Sequence, residues 1–376
     1  MVRVTEQPIA SVASAITAFV GGAPAGPVGE PRLVTSMSHF NRLFGGLWRE
    51  SHLGYSVRDF FRHGGRYAVI VRTDPAEDVT RSQVNALELI RERPDGMPGG
   101  DPVGLLVVPP DGAETHGWTE PSLDVLREAV ITAEQIKALA VLDAPAAWAG
   151  TTSPAGGAVD VLESLRSSFA AMYFPQLVEI DPLTGESLAI SASGAVAGII
   201  ARTDAQYGPW NMPAGTATTA LDVDGLTVAL GQGRMEMLAQ LRINGIRSFP
   251  GTGPLVWGAR VLGTDPEWPY VPTRRMATFL EQSISRGLRW ATFEQNAPPL
   301  WTRVCTRVEE FLHSLFRMGA FPGTKPDQGF YVRCDPSTMT QEDLADGVLR
   351  LDVGFAPTRP AEFIALRIAI PVARPA

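Results

Sequence analysis

The side chains best able to bind a metal or act as a nucleophile are scattered along this 376-residue chain. The histidines are His39, His52, His63, His116 and His313, and the cysteines are Cys305 and Cys334. No histidine stands at the short spacing from another histidine or a cysteine that zinc sites use. The sequence therefore predicts no metal site.

The most suggestive of these side chains have structural explanations. Cys305 lies on the apolar stripe of a predicted helix, which indicates a buried and inert thiol. His313 lies off that stripe, so a solvated or locally hydrogen-bonded ring is expected. Glu309 and Glu310 are neighbours on the same helix, and adjacent helical side chains do not face each other. None of these residues predicts catalysis.

Glycine-rich segments offer no nucleotide site either. The segments "GGAPAG" and "GQGRME" lack the G-x-G-x-x-G spacing of a dinucleotide-binding turn. The chain contains no G-x-x-x-x-G-K-[ST] loop and no G-x-S-x-G elbow. We therefore expect no cofactor and no enzymatic activity. An α/β enzyme whose site is assembled from distant residues stays open as the alternative.

Composition narrows the class of protein. Hydrophobic residues make up 45% and charged residues 19%, which is typical of a folded chain. The net charge of -8 argues against a general nucleic-acid binder. Two cysteines cannot form a disulfide framework and suggest synthesis in a reducing compartment. The sequence has neither a secretory signal nor a membrane-spanning run, so we expect cytosolic synthesis without membrane insertion.

Two kinds of secondary-structure pattern follow each other along the chain. Strands such as "VGLLVVPP" and "ALAVLDAP" alternate with helices such as 121–136, which predicts a largely parallel sheet covered on both faces. The small-residue segment "SGAVAGIIARTDA" predicts a helix that packs very closely. Beyond Gly231, two amphipathic helices and short strands predict an α+β region with a mostly antiparallel sheet. The predicted fold class is thus α/β plus α+β.

Both chain ends have extended, alternating patterns. Val2 and Val4 alternate with polar residues until Pro8 ends the run. The stretch "RLDVGFAPTRPAEFIALRIAI" predicts two half-buried strands separated by Pro357 and Pro360. The last strand could pair with the preceding one as a hairpin, or it could join the sheet of another molecule.

Several segments resemble the sheath proteins of contractile phage tails and related injection machines. They include "TAFVGGAPAGPVGEPRLVTSMSHFNRLFGG", "DPLTGESLAISASGAVAGIIARTDAQYGPWNMPAG", "EWPYVPTRRMATFLEQSISRGLRWATFEQNAPPLWTRV" and "VGFAPTRPAEFIALRI". The N-terminal arm departs from the family pattern, because it has "RVTEQP" in place of the common "PGVYVEE"-like motif. The chain is also short, which favours a compact sheath, as in phage tail-like particles, over a multi-domain one.

The resemblance implies a two-domain sheath fold with extended β-arms. The domains expected from it are an N-terminal arm (1–20), an outer α/β domain (21–240), a conserved α+β domain facing an inner tube (241–360) and a C-terminal arm (361–376). The arms are expected to complete the sheets of neighbouring subunits. The strand residues expected to cross between subunits are Val2, Val4, Phe363, Ile364, Leu366, Ile368 and Ile370. The expected hinges are Pro8, Pro357 and Pro360.

The resemblance also implies partners. Subunits are expected to form six-fold rings stacked around an inner tube, with baseplate and tail-terminator proteins at the ends. The particle would assemble in the bacterial cytoplasm and form part of a phage tail or a released tail-like particle. Residues 251–333 carry 10 Lys/Arg and 7 Asp/Glu in an otherwise acidic chain. We therefore expect a weak tube contact there, and the candidate residues are Arg274, Arg275, Arg286, Arg303 and Arg307.

Overall fold

A computed structural model describes residues 7–92, 100–114, 117–150 and 157–374. The chain forms two compact units. The larger unit is Ala13–Arg275. The terminal unit joins Met1–Val12 to Met276–Ala376.

The larger unit alternates strands with helices in its sequence. Its strands are Thr17–Gly21 (β1), Arg32–Val34 (β2), Ala68–Arg72 (β3), Leu105–Val107 (β4), Asp111–Glu114 (β5), Gly117–Thr119 (β6), Leu139–Asp143 (β7), Ala170–Phe174 (β8), Leu177–Ile180 (β9), Ser187–Ile190 (β10), Gly225–Leu226 (β11), Asn244–Phe249 (β12) and Gly253–Val256 (β13). Its helices are Met37–Phe44 (α1), Leu53–Arg62 (α2), Val79–Glu92 (α3), Leu123–Ile136 (α4), Gly157–Ser164 (α5), Ser193–Tyr207 (α6) and Gln232–Gln240 (α7).

Eight of these strands form one sheet in the order β13-β12-β8-β7-β4-β1-β3-β2. The pairs from β12 across to β3 are parallel, and the edge strands β13 and β2 are antiparallel to their neighbours. Both faces are covered. In β1, Ala18 and Val20 belong to one hydrophobic cluster and Phe19 to the other. Burial on both faces explains the continuous apolar runs of the sequence, and the predicted parallel α/β sheet is confirmed.

The small-residue helix α6 packs against α2 with almost no space between the two backbones. A Cβ atom built on Gly194 would lie 2.4 Å from the backbone oxygen of Ser56. One built on Gly198 would lie 2.5 Å from the backbone oxygen of Phe60. The close approach predicted from the sequence is confirmed, and glycine is required because any side chain would meet main-chain atoms.

The terminal unit is α+β. Helix α8 (Val271–Gly287) crosses the division between the units, which falls after Arg275. The elements that follow are Pro298–Arg317 (α9), Pro326–Gly329 (α10), Phe330–Arg333 (β14), Gln341–Asp346 (α11), Val348–Phe355 (β15) and Ile364–Pro371 (β16). The three strands form an antiparallel sheet in the order β14-β15-β16. Thr340 and Asp343 form a capping box at the start of α11.

The unit boundaries differ from those expected. Thr17–Gly21 was assigned mostly to an N-terminal arm, but it is β1, an interior strand of the eight-stranded sheet. The expected boundary at residue 241 also differs, because β12 and β13 extend that sheet and belong to the larger unit. Both differences arise from strand pairings between residues far apart in sequence, which local patterns do not specify.

Candidate assembly site

The terminal sheet is the region that the sequence marked for contacts between subunits. Here β16 pairs with β15 along its whole length, from Val348 opposite Pro371 to Phe355 opposite Ile364. This is the hairpin that the sequence left open as the alternative to strand exchange. The C-terminal strand is therefore paired within its own chain, and an extended C-terminal arm is not observed.

Strand β16 supplies much of the terminal unit's core. Ile364, Leu366, Ile368 and Ile370 are all buried, and the residues between them are exposed. Burial of each such side chain contributes about 1.5–3 kcal/mol, so the four together contribute about 6–12 kcal/mol as an upper bound. Opposite them, β15 buries its own alternate residues, Leu349, Leu351, Val353 and Phe355. The two strands depend on each other for this burial.

The other face of the sheet is charged. Arg333, Asp352 and Arg367 lie side by side across the three strands. Arg333 Nη2 lies 2.9 Å from Asp352 Oδ2, and Arg367 Nε lies 3.9 Å from Asp352 Oδ1. A donated hydrogen bond from Arg350 holds the pKa of Asp343 well below its usual range. The arginines of these ion pairs are well exposed, so water screens the pairs and the apolar face dominates the stability of the sheet.

The link between β15 and β16, residues 356–363, contains both predicted C-terminal hinges. Pro357 is half-buried and Pro360 is exposed. Ala361 has a left-handed backbone with φ of 63°, and its N–H donates to the Gln328 carbonyl oxygen at 2.8 Å. The Phe363 ring meets Tyr331 edge-on at 5.2 Å. These contacts fix the link in its present form, so a different path for β16 would have to break them.

The N-terminal segment is attached to helix α8. Val2 and Val4 lie outside the described residues, and Pro8 is exposed. From there on the chain is anchored, since Ile9 and Val12 are buried and the Val12 N–H donates to Ser283 Oγ at 3.2 Å. Any free N-terminal arm must therefore end before Ile9, and Pro8 stands at that point.

Two of the candidate tube contacts, Arg274 and Arg275, are buried in the larger unit. Arg274 stacks on the ring of Trp268 at 3.8 Å and on that of Phe169 at 4.5 Å. Arg275 donates two hydrogen bonds of 2.6 Å to the Asp204 carboxylate. Their cationic groups are enclosed by partners of the same chain, so a tube contact at either position stays a prediction that would require these partners to be released.

The remaining candidates lie in the terminal unit and reach its surface. Arg286 is exposed near the end of α8. Arg303 stacks on Trp290 at 4.7 Å and lies 3.3 Å from Glu294. Arg307 pairs with Glu310, one turn further along α9, at 3.0 Å. These three stay predictions for a tube-facing surface.

The structure also contains a buried ionic cluster that sequence reasoning missed. In the larger unit, Arg58 Nη2 lies 2.8 Å from Asp59 Oδ1 and 2.6 Å from Glu179 Oε2. Arg62 lies 3.0 Å from the same Glu179 oxygen. Burial, and then the nearby Asp59 charge, raise the pKa of Glu179 to about 7 despite the two arginines. The local signal was "RDFFR" in α2, but its partner on β9 is more than a hundred residues away.

This cluster joins a helix to a small sheet and does not form a metal or catalytic centre. Equal numbers of cationic and anionic side chains compensate one another, as buried ion pairs must. Within the described ranges, no group of three or more His, Cys, Asp or Glu side chains could hold a metal ion. Over the same residues, no helix has the length and apolar character needed to cross a membrane.

The structure shows the surroundings of several residues named in the sequence analysis. Cys305 is half-buried, although its place on the apolar stripe indicated a buried thiol. His313 is exposed, and its ring meets Phe330 edge-on at 5.1 Å. Asn296 lies one residue before Ala297, the N-terminal cap of α9, and does not cap the helix itself. Its side chain instead accepts from Trp301 Nε1 at 2.7 Å and donates to the Val348 carbonyl oxygen at 3.1 Å.

Comparison with solved structures finds sheath proteins that match almost the whole chain. The contracted helical sheath of the anti-feeding prophage superposes with a TM-score of 0.76 at 26% identity, covering 96% of this chain and 94% of its own. The contracted sheath of the extracellular contractile injection system PVC gives 0.72 at 27% identity, covering 96% and 93%. The chain belongs to the contractile tail sheath family.

Sequence relatives agree with this assignment. A prophage major tail sheath protein of Pseudomonas aeruginosa is 26% identical over 240 residues, which are 63% of this sheath protein and 59% of the relative. The tail sheath protein of Enterobacteria phage T4 is 24% identical over 217 residues, 56% of this chain but only 32% of its own. The matched region thus spans less than two thirds of either relative. No family model matches the chain. The family is a structural one, and the enzyme alternative is set aside.

Proposed function

We propose that this chain is the sheath subunit of a phage tail or of a contractile injection system. Copies would stack as six-fold rings around an inner tube, and rearrangement of the rings would drive the tube through a target envelope. The observation that carries the proposal is the near-complete structural match to two contracted sheaths at 26% and 27% identity. One chain in a solved baseplate structure of the anti-feeding prophage matches 97% of this chain, which supports a baseplate partner. A tube protein and a terminator protein would complete the set of partners.

The direct test is negative-stain electron microscopy of the purified chain, alone and with a candidate tube protein encoded beside it. Hollow striated tubes in either sample would support the sheath function. Uniform small particles in both samples, at every salt concentration tried, would contradict it.

We further propose that β16 leaves its own subunit in the assembled sheath. The hairpin supports this idea, because a strand held by one continuous register can be replaced by the same strand of another copy. Every contact of β16 would then be made again between subunits, which makes exchange of identical elements inexpensive. The link at residues 356–363 would take up the change of direction. The free edge of the sheet could receive the N-terminal arm of a third copy.

A reversible cross-link tests the exchange. Asp352 and Arg367 lie directly opposite each other on the exposed face of the β15–β16 hairpin. Cysteines at such positions stand at a separation that a disulfide can bridge. The variant Asp352→Cys/Arg367→Cys should be made with Cys305→Ala and Cys334→Ala, so that no other thiol interferes. Asp352→Ser/Arg367→Ser in the same background is the matched control.

Exchange predicts two results. Subunits oxidised before assembly should form no tubes until dithiothreitol is added. Tubes assembled in the reduced state and then oxidised should give a ladder of covalent multimers on a non-reducing gel. Tubes from pre-oxidised subunits, with cross-links confined to single chains, would contradict exchange but leave the sheath function standing.

A tube-facing surface on α8 and α9 is also proposed. Its candidate residues are Arg286, Arg303 and Arg307. Arg286→Glu and Arg307→Glu, made as separate single variants, should each weaken co-sedimentation with an acidic tube protein, and more strongly at low salt. Arg127→Glu, on the exposed face of α4, is the control for total charge.

A further inference from the structure

We propose that His63 is an acid-sensitive latch, whose neutral ring holds the linker between α6 and β11 on helix α2 and whose protonated ring releases it. The linker is residues 208–224, all within the larger unit. His63 follows α2 directly and is fully buried. The inference concerns the isolated chain, so it does not depend on the proposed function.

Two hydrogen bonds fix the protonation state of the His63 ring. Its Nδ1 lies 2.7 Å from the Asp59 carbonyl oxygen, and its Nε2 lies 2.8 Å from the backbone nitrogen of Leu221. A carbonyl oxygen only accepts, so Nδ1 must carry a proton. A backbone N–H only donates, so Nε2 must be without one. The geometry therefore requires the neutral ring, in one tautomer.

A second proton on the ring removes the contact with the linker. Nε2 would then be a donor facing the donor N–H of Leu221, so their hydrogen bond cannot form. The His63 side chain has little room to turn away, because α6 packs closely against it. A Cβ atom built on Gly198 would lie only 2.7 Å from the His63 Cβ. Protonation is thus relieved by movement of the linker.

The charges around the ring set how readily it takes up that proton. They belong to Arg58, Asp59 and Arg62 of α2, Arg202 of α6, Glu179 of β9 and Asp222 of the linker. Burial lowers the pKa of His63 to about 4. The Arg202 and Arg62 charges add to this shift, whereas the hydrogen bond to Asp59 and the charge of Asp222 oppose it.

The linker is anchored separately on either side of Leu221. On one side, the Ala220 N–H donates to the Pro254 carbonyl oxygen at 2.9 Å. On the other, the Asp224 N–H donates to the Val178 carbonyl oxygen at 2.8 Å. Neither anchor involves a titratable side chain. Release of the latch should therefore open residues 221–223 and leave the strands on both sides paired.

Two features of Asp222 favour a local opening. Its backbone is left-handed, with φ of 54°, a conformation that residues other than glycine rarely adopt. Its side chain is exposed and lies 3.5 Å from Arg62, so water screens this ion pair. Once the bond to His63 is lost, little else holds Asp222 in this conformation.

The pH dependence has a definite direction and size. In the open form the ring is in water, with the ordinary histidine pKa of about 6.5. The open form therefore binds the proton more tightly than the closed form, and acid favours opening. For closed-form and open-form pKa values of about 4 and about 6.5, the opening equilibrium rises about thirtyfold between pH 7.5 and pH 5.

Hydrogen exchange with mass spectrometry tests the latch on the purified full-length chain as unassembled subunits. Rates at pH 7.5 and pH 5 are corrected for the intrinsic pH dependence of amide exchange. Peptides that cover residues 219–224 should lose about thirtyfold in protection at pH 5. Peptides from β9, β12 and β13 should change much less. An equal loss across the larger unit, or no loss in the linker, would overturn the proposal.

Three variants identify the group that titrates. His63→Gln keeps a side-chain acceptor for the Leu221 N–H but does not titrate, so its linker should stay protected at both pH values. His313→Gln, at an exposed position in the terminal unit, should respond to pH like the wild type. Glu179→Gln should also keep the response. An unchanged response in His63→Gln, or its loss in Glu179→Gln alone, would assign the pH dependence to another group and refute the latch.

Discussion

Replacing Arg275 by alanine should destabilise the larger unit without acting on any tube contact. The Arg275 guanidinium makes two hydrogen bonds of 2.6 Å to Asp204 and a third, of 2.8 Å, to the Ser14 carbonyl oxygen. The side chains of the ion pair are 5% and 7% exposed. Removing one member of a buried ion pair leaves the other charge uncompensated and costs about 3–5 kcal/mol.

That loss is a large part of the stability of an ordinary domain, about 5–15 kcal/mol. A loss of about 4 kcal/mol lowers the ratio of folded to unfolded molecules about a thousandfold. Arg275→Lys should lose less, because it keeps the charge but not the two-pronged hydrogen bonding. Arg286→Ala, at an exposed position, should change the stability by about 0.5 kcal/mol or less.

Hydrogen exchange followed by mass spectrometry in increasing urea suits this test, because it reports the larger and terminal units separately. Faster exchange in Arg275→Ala should be concentrated in peptides from Ala13–Arg275. The reasoning would be refuted if Arg275→Ala matched the wild type in exchange and lost only its binding to tube protein. That outcome would mean that Arg275 is available to a partner after all.

Three further substitutions test other parts of the structure. Gly194→Ala should destabilise the larger unit although alanine favours helices, because its Cβ would lie 2.4 Å from the Ser56 oxygen; urea unfolding measures this. Ile368→Ala should cost about 2–5 kcal/mol in the terminal unit, read from exchange in β15 peptides. His63 is buried as a neutral ring that accepts a hydrogen bond from the Leu221 N–H, and burial lowers its pKa to about 4. Its contribution to folding stability is therefore complete above pH 6.5, the pKa of histidine in the unfolded chain, and falls as the pH drops towards 4. By pH 5 the loss is about 2 kcal/mol, and His63→Gln should reduce the difference in unfolding free energy between pH 7.5 and pH 5 by that amount.

The local patterns of the sequence predicted individual helices and strands better than they predicted which of these elements pair or pack together. The run "VGLLVVPP", which contains β4, indicated a strand of a sheet covered on both faces, and the small residues of α6 indicated a closely packed helix. Both properties depend on the segment itself. The assignment of β12 and β13 to the larger unit depends instead on pairing with β8, about seventy residues earlier.

The arginines show the same limit. Arg274 and Arg275 were expected to contact an inner tube, and such a contact requires exposed side chains. Sequence alone does not distinguish such an arginine from one that meets Asp204, 71 residues away. The buried cluster of Arg58, Arg62 and Glu179 was missed for the same reason. Long-range compensation of charge decides these positions, and the local sequence does not show which distant side chain supplies it.

The hairpin constrains how a sheath of this kind could assemble. If β16 is exchanged as proposed, the stabilisation from burying its four apolar side chains, about 6–12 kcal/mol, is lost when the strand leaves its own subunit. The same stabilisation is regained when β16 of a neighbouring subunit takes its place. Exchange then changes the free energy little, so the stability of the lattice must come from contacts outside β16. The same burial acts as a barrier to exchange, because an open strand exposes both itself and β15. Isolated subunits should therefore stay closed and soluble, and assembly should need a partner surface that brings two links together before either strand is released.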